Sequence, residues 1–168
     1  IDSNPFKSAL LAEPTGTPPK LAVKVDPKTS SALTFLRVLV VDDSEVNRFI
    51  LCELLGTLGI KATVACNGEE AVAAFKHSTL DVIFMDIQMP VMDGVAATAA
   101  IKTLQSDQNF SPDCVIVGVS AHAMSGDREK YLALGMSDYL TKPIDRKHLE
   151  SCLSALAKEL RGDVHLWR

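Results

Sequence analysis

From Arg37 onward, short apolar runs alternate with longer segments of helical period. That rhythm predicts βαβ units packed around a parallel sheet. Arg37–Val41 reads as a first strand, after which Ser44 caps a helix that runs to about Leu58 and stops at Gly59. A second strand is predicted over Lys61–Ala65 and a second helix over Gly68–Lys76. Val82–Met85 reads as a short buried strand, followed by a helix from about Gly94 to Leu104 and a loop from Gln105 to Asp113. Val115–Val119 is a continuous run of the kind found in a strand covered on both faces. A short helix over Gly126–Ala133, a strand over Asp138–Thr141 and a last helix complete five repeats. In that last helix Leu149, Cys152, Leu153, Leu156 and Leu160 fall on one stripe. Because parallel crossovers are right-handed, the expected architecture is an α/β doubly wound sheet.

Composition divides the chain unevenly. Five of the eight prolines fall in the first 27 residues, a stretch without sustained apolar period, so residues 1–34 read as a Pro-rich linker. Residues 35–161 then form the folded domain and 162–168 a tail. Of the net charge of -4, residues 35–168 hold 13 basic and 18 acidic groups, or -5, which places the acidity in the folded part. An acidic domain argues against nucleic acid as a partner, and no apolar run is long enough for a membrane span. The four cysteines are far apart, form no CxxC pair, and are expected to be buried small hydrophobes in a reducing compartment. With no initiator Met and no signal peptide, the chain is expected to be a piece of a longer cytoplasmic protein.

In doubly wound sheets, ligands bind beyond the carboxyl ends of the strands. Here the first strand runs into Asp42 and Asp43, the third into Asp86, the fourth into Ser120 and the fifth into Lys142. Loop-end aspartates are commonly helix caps and turn formers, but three of them at one edge with a Ser and a Lys form a chemical set. Their mutual repulsion calls for a hard divalent cation, Mg²⁺ (or Mn²⁺), which prefers oxygen ligands. A carboxylate can also act as a nucleophile toward phosphorus. Asp86 is then the natural acceptor, Asp42 and Asp43 hold the metal, Lys142 pairs with the new phosphate, and Ser120 donates to another of its oxygens.

The segments VLVVDDSEVNR, FMDIQMPVMDG, VGVSAHAM and DYLTKPI, in that order, resemble the receiver domain of two-component response regulators over roughly residues 36 to 160. The phrasing is most like receivers attached to hybrid histidine kinases. The resemblance implies a flavodoxin-like fold of five parallel strands in the order 2-1-3-4-5. It implies that Asp86 is phosphorylated from a phosphohistidine, and that Asp42, Asp43, Asp86 and the backbone carbonyl of Gln88 ligate Mg²⁺. It further implies that Lys142 binds the phosphoryl group, that Ser120 moves to bond it, and that Tyr139 is the aromatic switch whose rotamer follows that hydroxyl. Ser120 stands where Thr is commoner. Gln88 and His122 occupy positions that tune dephosphorylation, and the Lys142–Pro143 bond is expected to be cis. The implied partner is a histidine kinase dimerisation bundle or a histidine phosphotransfer domain, with a phosphorylation-dependent dimer as a further expectation. No conventional turnover is expected beyond self-phosphorylation and slow autodephosphorylation.

Other readings remain open at this point. The chain could be a stand-alone or truncated response regulator. A haloacid dehalogenase-type phosphatase also uses an Asp nucleophile, but wants a second acid two residues on, where this chain has Gln88. A flavodoxin-like FMN binder wants a hydroxyl- or Gly-rich phosphate loop after the first strand, and Asp42 and Asp43 there would repel a phosphate. The Met85, Met89 and Met92 group reads as packing and loop, His122 as a loop histidine, and Gly94 as helix-start geometry. His77, His148 and His165 have no neighbours at metal-ligand spacing. In the first helix Val46, Phe49, Ile50, Leu51, Leu54, Leu55 and Leu58 cover more than the face a sheet requires. Part of that surface either docks the helical phosphodonor or is buried in a wide two-sided core.

Overall fold

The computed structural model describes residues 33–107, 109–110, 113–122 and 124–160. Among the described residues from Val38 onward, five strands and five helices alternate: β1 (Val38–Val41), α1 (Glu45–Thr57), β2 (Ala62–Ala65), α2 (Gly68–His77), β3 (Val82–Asp86), α3 (Gly94–Gln105), β4 (Val115–Ser120), α4 (Asp127–Ala133), β5 (Asp138–Thr141) and α5 (Arg146–Leu160). The strands form one parallel sheet in the order β2-β1-β3-β4-β5. Element order and topology are those the sequence predicts. The boundaries differ by a residue or two: Asp86 and Ser120 close their strands, while Arg37 and Lys61 lie just outside theirs. Gly126 precedes α4 in a left-handed conformation (φ 92°) and is not its first turn.

The period of two along the buried strands sorts their side chains into two cores. Val38, Val40, Val82, Phe84, Val117 and Val119 face α1 and α5, where Leu51, Leu55, Leu149 and Leu153 cover them. Leu39, Val41, Ile83, Met85 and Ile116 point the other way, against Ala71, Phe75, Ala97, Ile101 and Tyr131 of the three remaining helices. Each fully buried Leu, Ile or Phe contributes roughly 1.5–3 kcal/mol of apolar transfer free energy, which makes these two layers the bulk of the driving force. The α5 stripe is buried as expected, except that Ala157 joins it while Leu160 is only partly covered. Leu33, on the linker side of the boundary read from sequence, is 1% exposed and packs with Leu36 in the α1/α5 layer. Linker positions 1–32 and the tail 162–168, with His165, lie outside the described residues.

Local chemistry ends the helices where the sequence places them. Ser44 Oγ accepts from the Asn47 amide, Asn67 Oδ1 from Glu70 and Asp93 Oδ1 from Ala96, so three helix starts have a side-chain cap. Gly59, after α1, takes φ 78°, the left-handed conformation that favours glycine at a helix end. Gly94 is required for a different reason: a Cβ there would collide with the backbone carbonyl oxygen of Asp86. Only the smallest residue lets α3 start this close to the end of β3.

The cysteine expectation holds for two of four. Cys114 and Cys152 are buried, and desolvation pushes each thiol up to about 12. Cys52 is half-buried and Cys66, just past the edge strand β2, is exposed. β2 pairs with β1 alone at the edge of the sheet, so its outer side is not covered by a neighbouring strand.

At the opposite end of the sheet from the aspartates, Asp81 accepts from the Arg37 backbone amide (2.7 Å) and from the guanidinium Nε (2.9 Å) and Nη2 (2.8 Å). The guanidinium bonds hold the Asp81 carboxyl below its ordinary value. A depressed native pKa gives stability that is present above the unfolded pKa and disappears as pH falls through the native one. Asp81→Asn should therefore lower stability by about 1 kcal/mol at neutral pH, where the half-exposed arginine limits the gain. Urea titrations of both proteins between pH 7 and pH 3 should show the gap closing on acidification; a constant gap would contradict the assignment.

Candidate functional site

The carboxyl ends of β1, β3, β4 and β5 deliver Asp42, Asp86, Ser120 and Lys142 to one edge because the parallel register aligns the strand ends. Asp42, Asp86 and Ser120 are 5%, 4% and 7% exposed, an uncommon burial for two carboxylates, while Asp43 faces solvent. One carboxylate oxygen from each of Asp42, Asp43 and Asp86 lies within 4.8 Å of the others. Lys142 Nζ bridges the two buried acids, 2.7 Å from Asp42 Oδ2 and 2.9 Å from Asp86 Oδ2. The Lys142–Pro143 bond is cis, as the resemblance implied.

Burial is the main cause that raises the Asp86 carboxyl above its ordinary value; Asp42 adds to it, and the bond from Lys142 opposes it. Burial would by itself lower the Lys142 ammonium, but its bonds to Asp42 and Asp86 prevail and raise it. The lysine is thus held charged between two acids. The backbone amide of Gln88 donates to Asp86 Oδ1 (3.2 Å), which fixes the second oxygen of that carboxylate.

Asp42 is held from α1. Its Oδ1 accepts from the Ser44 amide (2.9 Å) and from Asn47 Nδ2 (3.2 Å). Arg48 Nη1 donates to the backbone carbonyls of Asp42 (2.7 Å) and Asp43 (3.1 Å). Sequence reasoning assigned no role to Asn47 or Arg48. The available signal was geometric, since side chains in a first helical turn lean toward its N-terminus and so reach the preceding loop.

Ser120 and Tyr139 form a second group. Ser120 Oγ donates to the His122 carbonyl (3.0 Å) and accepts from the His122 amide (3.2 Å), so it is engaged with the β4–α4 loop and not with the carboxylates. Tyr139 Oη donates to the same His122 carbonyl (2.7 Å), and its ring packs on Tyr131 with centroids 5.4 Å apart. Burial raises the Tyr139 phenol above its ordinary value. His122 takes part through its main chain, and as a residue it is exposed. His148 pairs with Asp145 (2.6 Å) at the exposed start of α5, away from the acidic cluster.

The donor set suits a hard cation. Three oxygen donors, two on buried carboxylates, match the preference of Mg²⁺ for carboxylates with remaining positions left to water or phosphate. Beside this cluster lies a cavity of about 310 Å³ whose apolar walls include Ile50, Leu51, Phe84, Val119, Pro143 and Ile144. Val46, Phe49 and Ile50 on α1 are 65%, 65% and 49% exposed, so this helix is not wholly buried in the core. No helix among the described residues is long and apolar enough to cross a membrane.

Comparison with known proteins identifies the family. The profile of the response regulator receiver domain matches residues 38–154. The sensor histidine kinase GacS of Pseudomonas protegens is 41% identical over 113 residues, which is 67% of this chain and 12% of that protein. Such relatives include hybrid kinases, and the chain spans between 4% and 13% of their lengths. The receiver domain of the sensor histidine kinase PA1611 from Pseudomonas aeruginosa PAO1, solved with a magnesium ion in its active-site cleft, is 34% identical. It superposes with a TM-score of 0.64 over 73% of this chain and 97% of its own. The co-crystal structure of the Saccharomyces cerevisiae phosphotransfer protein Ypd1 with the receiver domain of the response regulator Ssk1 gives a TM-score of 0.69 at 32% identity, over 74% of this chain and 90% of the matched one. The profile, the relatives and the shared topology together show that the chain belongs to the response regulator receiver domain family.

Proposed function

We propose that Asp86 is the phosphoacceptor of this receiver in a histidine-to-aspartate phosphorelay, with Asp42, Asp43, Asp86 and the Gln88 backbone carbonyl holding Mg²⁺. The observation that carries this reading is the Lys142 bridge, because an ammonium 2.9 Å from Asp86 Oδ2 is already placed beside the oxygen that would carry phosphorus. In the transfer, a carboxylate oxygen of Asp86 bonds to phosphorus as the phosphorus–nitrogen bond of a phosphohistidine breaks, and the imidazole leaves with the electron pair. A bound divalent cation would neutralise charge on the phosphoryl oxygens. Lys142 exchanges one carboxylate partner for a phosphoryl oxygen and keeps Asp42 as the other. Ser120 gives up the His122 carbonyl and donates to a second oxygen, while Tyr139 follows that rearrangement.

The phosphodonor in this reading is a helical bundle, either a kinase dimerisation domain or a histidine phosphotransfer domain. Exposed Val46, Phe49 and Ile50 supply its apolar footing on α1, and the cavity edged by Ile50 and Ile144 continues that surface to the acidic cluster. The matched relatives are sensor and hybrid kinases, which supports a place within a larger kinase over a stand-alone regulator. Gln88 stands where a haloacid dehalogenase-type phosphatase wants an acid, and the family membership leaves that reading no support.

Three outcomes are expected. Incubation with a small phosphodonor and Mg²⁺ should add one phosphate that is acid-stable and base-labile. Asp86→Asn should abolish it, and retention of the mass gain in that variant would rule out Asp86 as the acceptor. Phe49→Lys, which does not line the site cavity, should slow transfer from a phosphotransfer protein by about tenfold, as expected for a hot-spot loss of roughly 1–2 kcal/mol. Labelling by the small donor should stay unchanged, and equal loss in both assays would count against docking on α1. Saturation with a phosphate mimic should shift the backbone amides of Asp138–Ile144, and static signals there would refute the Ser120–Tyr139 coupling.

A further inference from the structure

We infer that Arg48 is a positioning residue for the metal-binding pair, acting through the main chain of Asp42 and Asp43. The inference rests on the reading of these acids as Mg²⁺ ligands. Arg48 sits one turn into α1, and its side chain returns past the helix start to the loop after β1. A single nitrogen, Nη1, donates to two consecutive carbonyls, 2.7 Å from Asp42 O and 3.1 Å from Asp43 O. Two consecutive carbonyls held by one atom leave the intervening peptide little freedom. Both side chains then leave the backbone in fixed directions, and Asn47, the preceding residue, steadies Asp42 Oδ1 at 3.2 Å. Such outer contacts on metal ligands are worth about 10- to 100-fold in affinity when removed.

Two effects of Arg48 on a cation have opposite signs. Its positive charge close to the cluster repels a cation, so a purely electrostatic role predicts that Mg²⁺ binds more tightly once the charge is removed. Orientation predicts the reverse. A role confined to folding would lower the melting temperature and leave metal affinity unchanged in the folded molecules. The direction of the affinity change therefore separates the three cases without reference to phosphorylation.

The test is titration of Mg²⁺ alone into the 168-residue chain, followed by calorimetry and by the amide signals of Asp42–Ser44. Arg48→Ala should weaken Mg²⁺ binding by about tenfold and broaden those signals. Arg48→Gln, whose shorter side chain cannot reach the carbonyls but is a good helix former, should weaken it equally and serves if the alanine variant does not fold. Arg48→Lys, which keeps one charged nitrogen able to donate to both oxygens, should recover most of the loss. Unchanged or tighter binding in Arg48→Ala or Arg48→Gln would overturn the inference. Absence of Mg²⁺ binding by the unaltered chain would instead overturn the reading of the acidic pair as ligands, and the inference with it.

Discussion

Everything at the functional edge depends on keeping three carboxylates close together. Asp42 and Asp86 are almost fully buried, and Asp43 brings a third oxygen within 4.8 Å. Like charges at that separation repel, and after burial the neighbouring Asp42 adds to the rise of the Asp86 carboxyl above its ordinary value. Lys142 makes the arrangement tolerable by standing between the two buried acids at hydrogen-bond distance from both. Its ammonium carries three donors, and in the proposed transfer it would turn one of them to a phosphoryl oxygen. The lysine belongs to the loop after β5, which reaches the acids of β1 and β3 because β4 lies between as a spacer.

The sheet sets that spacing. Four strand ends finish together because the backbone register between neighbours is unbroken along β1, β3, β4 and β5. The two cores then resist any sliding of one strand past another, which would carry buried side chains to the wrong face. The resulting division of labour is simple. The interior strands fix distances among the charged groups, while the loop carrying His122 holds the hydroxyls of Ser120 and Tyr139 a short way off.

Much of this was legible in the residues. Val82–Met85 reads as a short buried strand and Val115–Val119 as one covered on both faces, and Ser44 and Gly59 mark helix ends by chemistry that acts locally. The strand-end rule then singled out Asp42, Asp43, Asp86, Ser120 and Lys142. What could not be read depended on contacts distant in sequence or on side-chain direction. Seven apolar positions between Val46 and Leu58 left open which of them meet the sheet, and only packing against β1 and α5 decides that Leu51 and Leu55 are covered while Phe49 is not. Cys66 looked like any other buried thiol because nothing local says that β2 is an edge. Ser120 was correctly placed, but its engagement with the His122 main chain arises from loop geometry that no spacing records.

The missing Cβ of Gly94 has a mechanical consequence. With the first residue of α3 pressed against the Asp86 carbonyl, the end of β3 and the start of that helix form a single stiff joint, tied further by the Gly94 amide bonding to Ile87 O. Asp86 therefore has no independent travel: a displacement of its backbone would have to drag a twelve-residue helix with it. Across the site, Ser120 and Tyr139 are tied to the His122 main chain by hydrogen bonds, a looser attachment than one backbone packed directly on another.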